Sequence, residues 1–234
     1  MTLARQLLAE CMGTACLLAM VVGSGIMGAT LSPLNMGVAL LANAAATAAG
    51  LYVLIVLLAP ISGAHFNPAV TLAFAVQGHM RRRTALAYIA VQIVGAVAGT
   101  LLAHAMFNQP LSQWGTHVRT GASQWLSEGV ATFGLLLTIL IGVRNRPQAV
   151  ATLVAGYIFS AYWFTASTSF ANPAVTLARA LTNTFAGIRP TDVAGFVASQ
   201  LVGALAGVVV ARWFDSGVMR SSATETEAAT CNKP

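Results

Sequence analysis

The chain is poor in charge. Twelve Lys and Arg with six Asp and Glu make up 8% of its 234 residues, where a soluble domain carries roughly 25%. Its one lysine is Lys233, and no acidic residue stands between Glu10 and Glu128. So few charges cannot cover a surface facing water. With 57% hydrophobic residues and a mean hydropathy of +0.75, the chain reads as an integral membrane protein. A net charge of +6 could suggest nucleic acid, but the basic residues fall between apolar segments rather than along one face, so no nucleic-acid partner is expected. Cysteine is scarce as well. Cys11 and Cys16 share one apolar segment, about 140° apart on a helix, and Cys231 is in the tail. Neither a disulfide framework nor a metal site follows, and no cofactor is expected. The few polar residues offer no nucleophile, acid–base pair or metal cluster, which argues against an enzyme.

What the chain has in quantity is long apolar runs. Those over 7–29, 38–60, 84–106, 126–143, 149–167 and 192–214 approach or exceed the roughly 20 residues that cross a bilayer. Six spanning helices are predicted. Two shorter runs, 67–78 and 172–184, each open on Asn-Pro and are read as re-entrant half-helices. Gly95/Gly99 and Gly203/Gly207 have the small-xxx-small spacing that lets helix backbones approach, a structural feature. Tyr162, Trp163 and Phe164 close one run and are read as an interfacial belt in preference to pore lining.

The two short runs copy each other. Residues 67–73, Asn-Pro-Ala-Val-Thr-Leu-Ala, recur unchanged at 172–178, an offset of 105 (172 − 67). The run from Gln92 is matched from Gln200, and Glu10 is matched by Glu128. A duplicated architecture follows, with a first repeat over 1–110 and a second over 111–215, each holding three membrane helices and one half-helix. Three crossings per repeat make the second enter from the opposite face, so the repeats are inverted. Arg5, Arg81, Arg82, Arg83, Arg144, Arg146, Arg212, Arg220 and Lys233 would share one side, against Arg119, Arg179 and Arg189 on the other. That imbalance places both termini in the cytoplasm. The segment around Glu10 has a later copy and is expected to stay in the mature chain. Residues 216–234, rich in Ser, Thr and Glu, are expected to form a disordered cytoplasmic tail.

Asn is among the best helix N-caps and Pro favours the first helical position, so Asn67-Pro68-Ala69 and Asn172-Pro173-Ala174 each signal a helix start. If both half-helices dip to mid-membrane from opposite faces, their positive dipole ends and two carboxamides meet there. Such a site opposes cations, while the Asn NH2 groups donate to a passing neutral oxygen and the carbonyls of the preceding loops accept in single file. With Ser62-Gly63-Ala64-His65-Phe66 before the first copy, these motifs resemble the major intrinsic protein family of aquaporins and glycerol facilitators, over residues 5–214. The resemblance implies an all-α membrane protein of the aquaporin-like fold, six transmembrane helices plus two re-entrant half-helices in two inverted repeats. It also implies one pore per subunit in a homotetramer embedded in the lipid bilayer. Glu10 and Glu128, ionisable groups within the membrane, would then brace the re-entrant loops by accepting backbone N–H bonds. His65 is read as lining the cytoplasmic half of the pore, offering an acceptor nitrogen, rather than as a gate. His79 is assigned to the cytoplasmic rim, and His104 and His117 have no assigned role.

The family carries an arginine directly after the second Asn-Pro-Ala; here that residue is Val175. Its partner positions, carried over by spacing, are Thr47, Ser160 and Ser169, giving a filter with no large aromatic and no fixed charge. Such a filter is expected to be wider than a water-only one and to permit some proton leak. Valine at this place is similar to a bacterial branch associated with arsenic resistance. That likeness implies water, glycerol-like triols and arsenous acid as solutes, in a bacterial inner membrane. A strict water channel is the alternative within the fold. An inverted-repeat secondary active transporter is the alternative outside it, with Glu10 and Glu128 as the only carboxylates it could use. Arg179, one turn beyond Val175 and about 6 Å outward, is read as facing the outer vestibule, with a salt-bridged or headgroup-facing arginine as the competing assignment.

Overall fold

A computed structural model describes the backbone of residues 1–231 and the side chains of residues 1–214, and among these residues the only regular structure is helical. The first half holds α1 (Leu3–Leu31), α2 (Met36–Ser62), α3 (Pro68–Val76) and α4 (Arg82–Met106). The second repeats the order with α5 (Ala122–Asn145), α6 (Val150–Phe164), α7 (Pro173–Arg179) and α8 (Val193–Cys231). Local signals set the ends: Asn35 Oδ1 accepts from Val38 N at 3.2 Å to open α2, and Gly63, at φ 90°, closes it by donating to Ala59 O. Leu57, Val94, Val202 and Val209 point outward, while Glu10, Gln92, Glu128 and Gln200 are fully buried. Apolar outside and polar within is the pattern of a bundle surrounded by lipid.

Five segments are long and apolar enough to cross a membrane, namely α1, α2, α4, α5 and residues 190–214. The sixth, α6, has 15 residues, about 22 Å of rise, and a 3-10 turn at Pro147–Ala149 leads into it. Its run was expected to continue to 167. It stops at Phe164 because Thr168 and Ser169 take positive φ (62° and 51°) to begin the second re-entrant loop. The half-helix α7 is likewise shorter than the expected 172–184. Carbonyls that a longer helix would use are taken by loops, Arg179 O by Ile188 N at 3.2 Å and Ala180 O by Gly115 N at 2.9 Å. At the chain's end the difference runs the other way. The backbone stays helical to Cys231, where no regular structure was expected from Ser216; no proline interrupts 215–231 to stop it. The side chains of Arg220, Cys231 and Lys233 lie outside the described residues.

Within each half the packing repeats: α1 lies against α2 and α4, and α5 against α6 and α8. Glycines make the closest approaches. A Cβ on Gly99 would stand 2.0 Å from Ala15 O, one on Gly95 2.3 Å from Cys11 O, and one on Gly203 2.1 Å from Gly129 O. The halves interlock through the half-helices, for α3 touches both α4 and α8, and α7 touches both α8 and α4. Arg144 and Arg212 stand at one end. Arg212 reaches Val76 O at the end of α3 at 3.1 Å, and Arg144, at the end of α5, reaches Ala211 O at 3.4 Å. Arg119, Arg179 and Arg189 stand at the opposite end, around the loops that follow α4 and α7.

Candidate functional site

The loops entering the two half-helices have matching backbones. Ala64 and Phe66 in the first, and Ser169 and Ala171 in the second, take positive φ (51°, 47°, 51° and 48°), which costs a non-glycine residue roughly 1–3 kcal/mol. A buried carboxylate stands behind each loop. Glu10 Oε1 accepts from Ser62 Oγ (2.7 Å) and His65 N (2.9 Å), and its Oε2 from Phe66 N (2.7 Å) and Gln92 Nε2 (2.8 Å). Glu128 Oε1 accepts from Phe170 N (2.9 Å), and Oε2 from Ala171 N (2.9 Å) and Gln200 Nε2 (2.6 Å). The same glutamines donate onward to Thr71 Oγ1 and Thr176 Oγ1. Donors in this number are what let a carboxylate remain inside the bundle.

Asn67 and Asn172 cap their helices. Asn67 Oδ1 accepts from Ala69 N at 2.9 Å; Asn172 Oδ1 accepts from Ala174 N at 3.0 Å and Val175 N at 3.3 Å. Pro68 and Pro173 occupy the first turns, where no N–H is missed. The carboxamide nitrogens then cross between halves: Asn67 Nδ2 donates to Ala171 O and Asn172 Nδ2 to Phe66 O, each at 2.8 Å. An NH2 group has two hydrogens, so each asparagine retains one donor for the space beside it.

One cavity runs past both asparagines. Its walls are apolar, formed by Leu17, Val21, Leu51, Ile55, Leu135 and Ile139 together with the α6 stripe Val150, Val154, Ile158 and Tyr162. Thr47, His65, Asn67, Ser169, Asn172, Val175 and Arg179 also line it. Ser169 Oγ is buried without a hydrogen-bond partner in the protein, which leaves its hydroxyl to the cavity. Ser160 does not line it. That side chain is exposed and its Oγ donates back to Tyr157 O at 2.8 Å. Two residues from Ile158 is about 200° around a helix, which turns Ser160 away from the stripe. Tyr162 occupies the wall instead, its OH donating to Thr47 Oγ1 at 3.3 Å. The interfacial reading therefore fits Trp163 and Phe164, which are exposed, and fails for Tyr162, which is buried.

A fixed charge lines the cavity beyond the filter positions. Arg179 is 2% exposed and lines the cavity, with its Nε donating to Ala186 O and its guanidinium carbon 3.4 Å from the centre of the Phe170 ring. Among the described residues no carboxylate lies within ion-pair distance, and burial in the cavity wall sets the headgroup-facing assignment aside. His65 Nδ1 is 3.1 Å from Thr71 Oγ1. That hydroxyl also accepts from Gln92 Nε2 at 2.9 Å, so His65 is tied to the same buried network that holds Glu10. The histidine lines the cavity. His104, unassigned from sequence, ties α4 to the loop after α7 through Thr182 Oγ1 at 2.8 Å. His117 lies on the rim near Arg119. Burial first, then the two charges of Arg119 and Arg179, hold it below its ordinary value of 6.5.

Phe170, Phe74 and Arg119 are the site residues that sequence reasoning passed over, and Tyr162 is the one it assigned to the interface instead. Aligning the two copies carries a signal for two of them, since His65 and Phe74 fall at Phe170 and Arg179 when shifted by the same 105 (172 − 67).

Residues 1–166 match the Major intrinsic protein family. The chain is 56% identical over 211 residues to Aquaglyceroporin AqpS of Rhizobium meliloti (strain 1021), covering 90% of each. It is 31% identical over 226 residues to Probable aquaporin TIP5-1 of Oryza sativa subsp. japonica, covering 88% of this chain and 81% of the relative. The aquaglyceroporin structure from Plasmodium falciparum superposes with a TM-score of 0.67 at 19% identity, covering 92% of this chain and 96% of the other, a likeness of fold. By its fold, its paired capping loops and its sequence, the chain belongs to the major intrinsic protein family.

Proposed function

We propose that this protein is a passive channel for small neutral solutes, conducting water, glycerol-like triols and undissociated arsenous acid. The observation that carries this reading is the meeting of Asn67 and Asn172 in one cavity that is otherwise largely apolar. A solute oxygen there meets two amide donors, while apolar walls offer nothing that would hold it. The half-helices α3 and α7 direct their positive ends toward the same place, which disfavours a bare cation. Glu10 and Glu128 fix the strained loops so that carbonyls face the file of solute. Thr47, Ser169, Val175 and Tyr162 form the filter, with Val175 leaving open the space an arginine would fill and Tyr162 closing part of the opposite wall. The similarity to an aquaglyceroporin supports the wider solute range. In this reading the channel sits in a bacterial inner membrane as a homotetramer, with both termini in the cytoplasm beside Arg81, Arg82 and Arg83, and no step is catalytic.

Tyr162 is the feature that favours a strict water channel, because a phenol in the filter narrows it. Stopped-flow measurement of water, glycerol and arsenous-acid permeability in proteoliposomes separates the two readings, with wild type and Val175→Arg compared. The expected outcome is that wild type passes all three and the arginine variant keeps water while losing at least tenfold of the larger fluxes. Passage of water alone by wild type would leave the strict water channel.

A further inference from the structure

The two ends of the pore carry the same stack built from different residues. At the end near Arg81 the rings of His65 and Phe74 lie 4.7 Å apart. At the other end the counterparts are Phe170 and Arg179, with the guanidinium carbon 3.4 Å from the ring centre. All four residues line the cavity. One repeat therefore closes its mouth with imidazole on phenyl, and the other with guanidinium on phenyl.

The second stack is strongly positive. Arg119 stands over the same Phe170 ring at 5.1 Å, its Nε donating to Gly187 O at 3.0 Å and its Nη1 to Ser167 O at 3.2 Å. Among the described residues the side-chain acceptors around both arginines are peptide carbonyls and a ring face, and no carboxylate forms an ion pair with either guanidinium, Asp192 Oδ2 accepting only from the backbone N of Arg119 at 2.8 Å. Glu128, behind the loop, spends its oxygens on Phe170 N, Ala171 N and Gln200 Nε2. Among the described residues neither Nη1 nor Nη2 of Arg179 has a hydrogen-bond partner, and the side chain lines the pore. A guanidinium seated on a ring keeps its plane and position without neutralisation.

We infer that Arg179 is the charge filter of this channel, standing one helical turn beyond Val175, with Phe170 seating it and Arg119 adding to its field. Size and charge are then selected at different depths of the pore. Val175, Tyr162, Thr47 and Ser169 set the opening, and Arg179 repels cations that the opening would admit. The proton leak expected from valine at position 175 does not follow, because a fixed positive charge remains on the same wall.

This inference rests on the channel reading above and is tested with a pair of probes of equal size and shape, urea and guanidinium. Proteoliposomes of wild type, Arg179→Gln and Arg179→Lys are compared for the permeability ratio of guanidinium to urea. The ratio is expected to rise at least tenfold in the glutamine variant and to stay within about threefold of wild type in the lysine variant. An unchanged ratio in the glutamine variant, or an equal rise in both, would overturn the assignment. Arg179→Met, which keeps an apolar stem against Phe170, replaces the glutamine variant if that one does not reach the membrane. If neither uncharged variant folds, the guanidinium is a structural requirement and the assignment falls. Should wild type pass water alone, the channel reading fails in its solute range, and the charge assignment is read from proton flux relative to water on the same vesicles, with the same pattern across variants expected.

Discussion

At the scale of single residues, the buried carboxylates and asparagines are committed to the protein itself, while the Ser169 hydroxyl is left to the pore. Glu128→Gln shows what commitment means here. A carboxamide presents NH2 toward Phe170 N, Ala171 N or Gln200 Nε2, so at least one buried donor loses its acceptor, at about 1–3 kcal/mol. The variant is expected to lower the thermal midpoint in detergent and to lose most water flux, because the positive-φ loop is no longer held; wild-type values for both would remove Glu128 from the bracing role. His117 reports the charge at the other mouth. Its depressed pKa leaves it neutral at its ordinary midpoint of 6.5, so it protonates only on further acidification. Ring-nitrogen NMR should place its midpoint below 6.5, and Arg119→Gln should move that midpoint upward by removing one of the two repelling charges. Legibility was uneven at this scale. Asn67 and Asn172 could be read because capping is local, whereas Ser160 was misplaced because carrying a position by spacing ignores which helix face it meets, and Tyr162 was given to the interface because nearness to the end of an apolar run does not tell which face a side chain takes.

At the scale of elements, close helix contact rather than side-chain burial decides the geometry. Gly99 lets α4 lie on the Ala15 carbonyl of α1, and Gly203 lets α8 lie on the Gly129 carbonyl of α5. Gly99→Val is expected to separate α1 from α4 and lower stability by about 1–3 kcal/mol or more. Gly156, on α6, has open space where a Cβ would go, so Gly156→Ala should be neutral or slightly stabilising. Thermal unfolding monitored by size-exclusion chromatography distinguishes the two, and equal behaviour would contradict the contact geometry. Helix positions were legible because apolar runs must match the bilayer. The ends of α6 and α7 were not, because they are set by loop carbonyls and backbone turns that depend on residues far away in sequence, such as Gly115 and Ile188.

At the scale of the whole molecule, duplication was the most legible property, since 105 (172 − 67) relates two identical heptapeptides and the same number relates the two stacks at the pore mouths. In the channel reading, six crossings would leave both termini on the face where Arg144 and Arg212 lie. Fusing a reporter active only in the cytoplasm to either end should give signal at both; a silent fusion at one end would break the six-crossing topology. The reciprocal bonds of the asparagines have a consequence for synthesis. Asn67 finds its acceptor 104 residues later in the chain and Asn172 finds its own 106 residues earlier. On the ribosome the first loop is therefore made long before its partner exists, and the pore's centre can set only once the second half arrives.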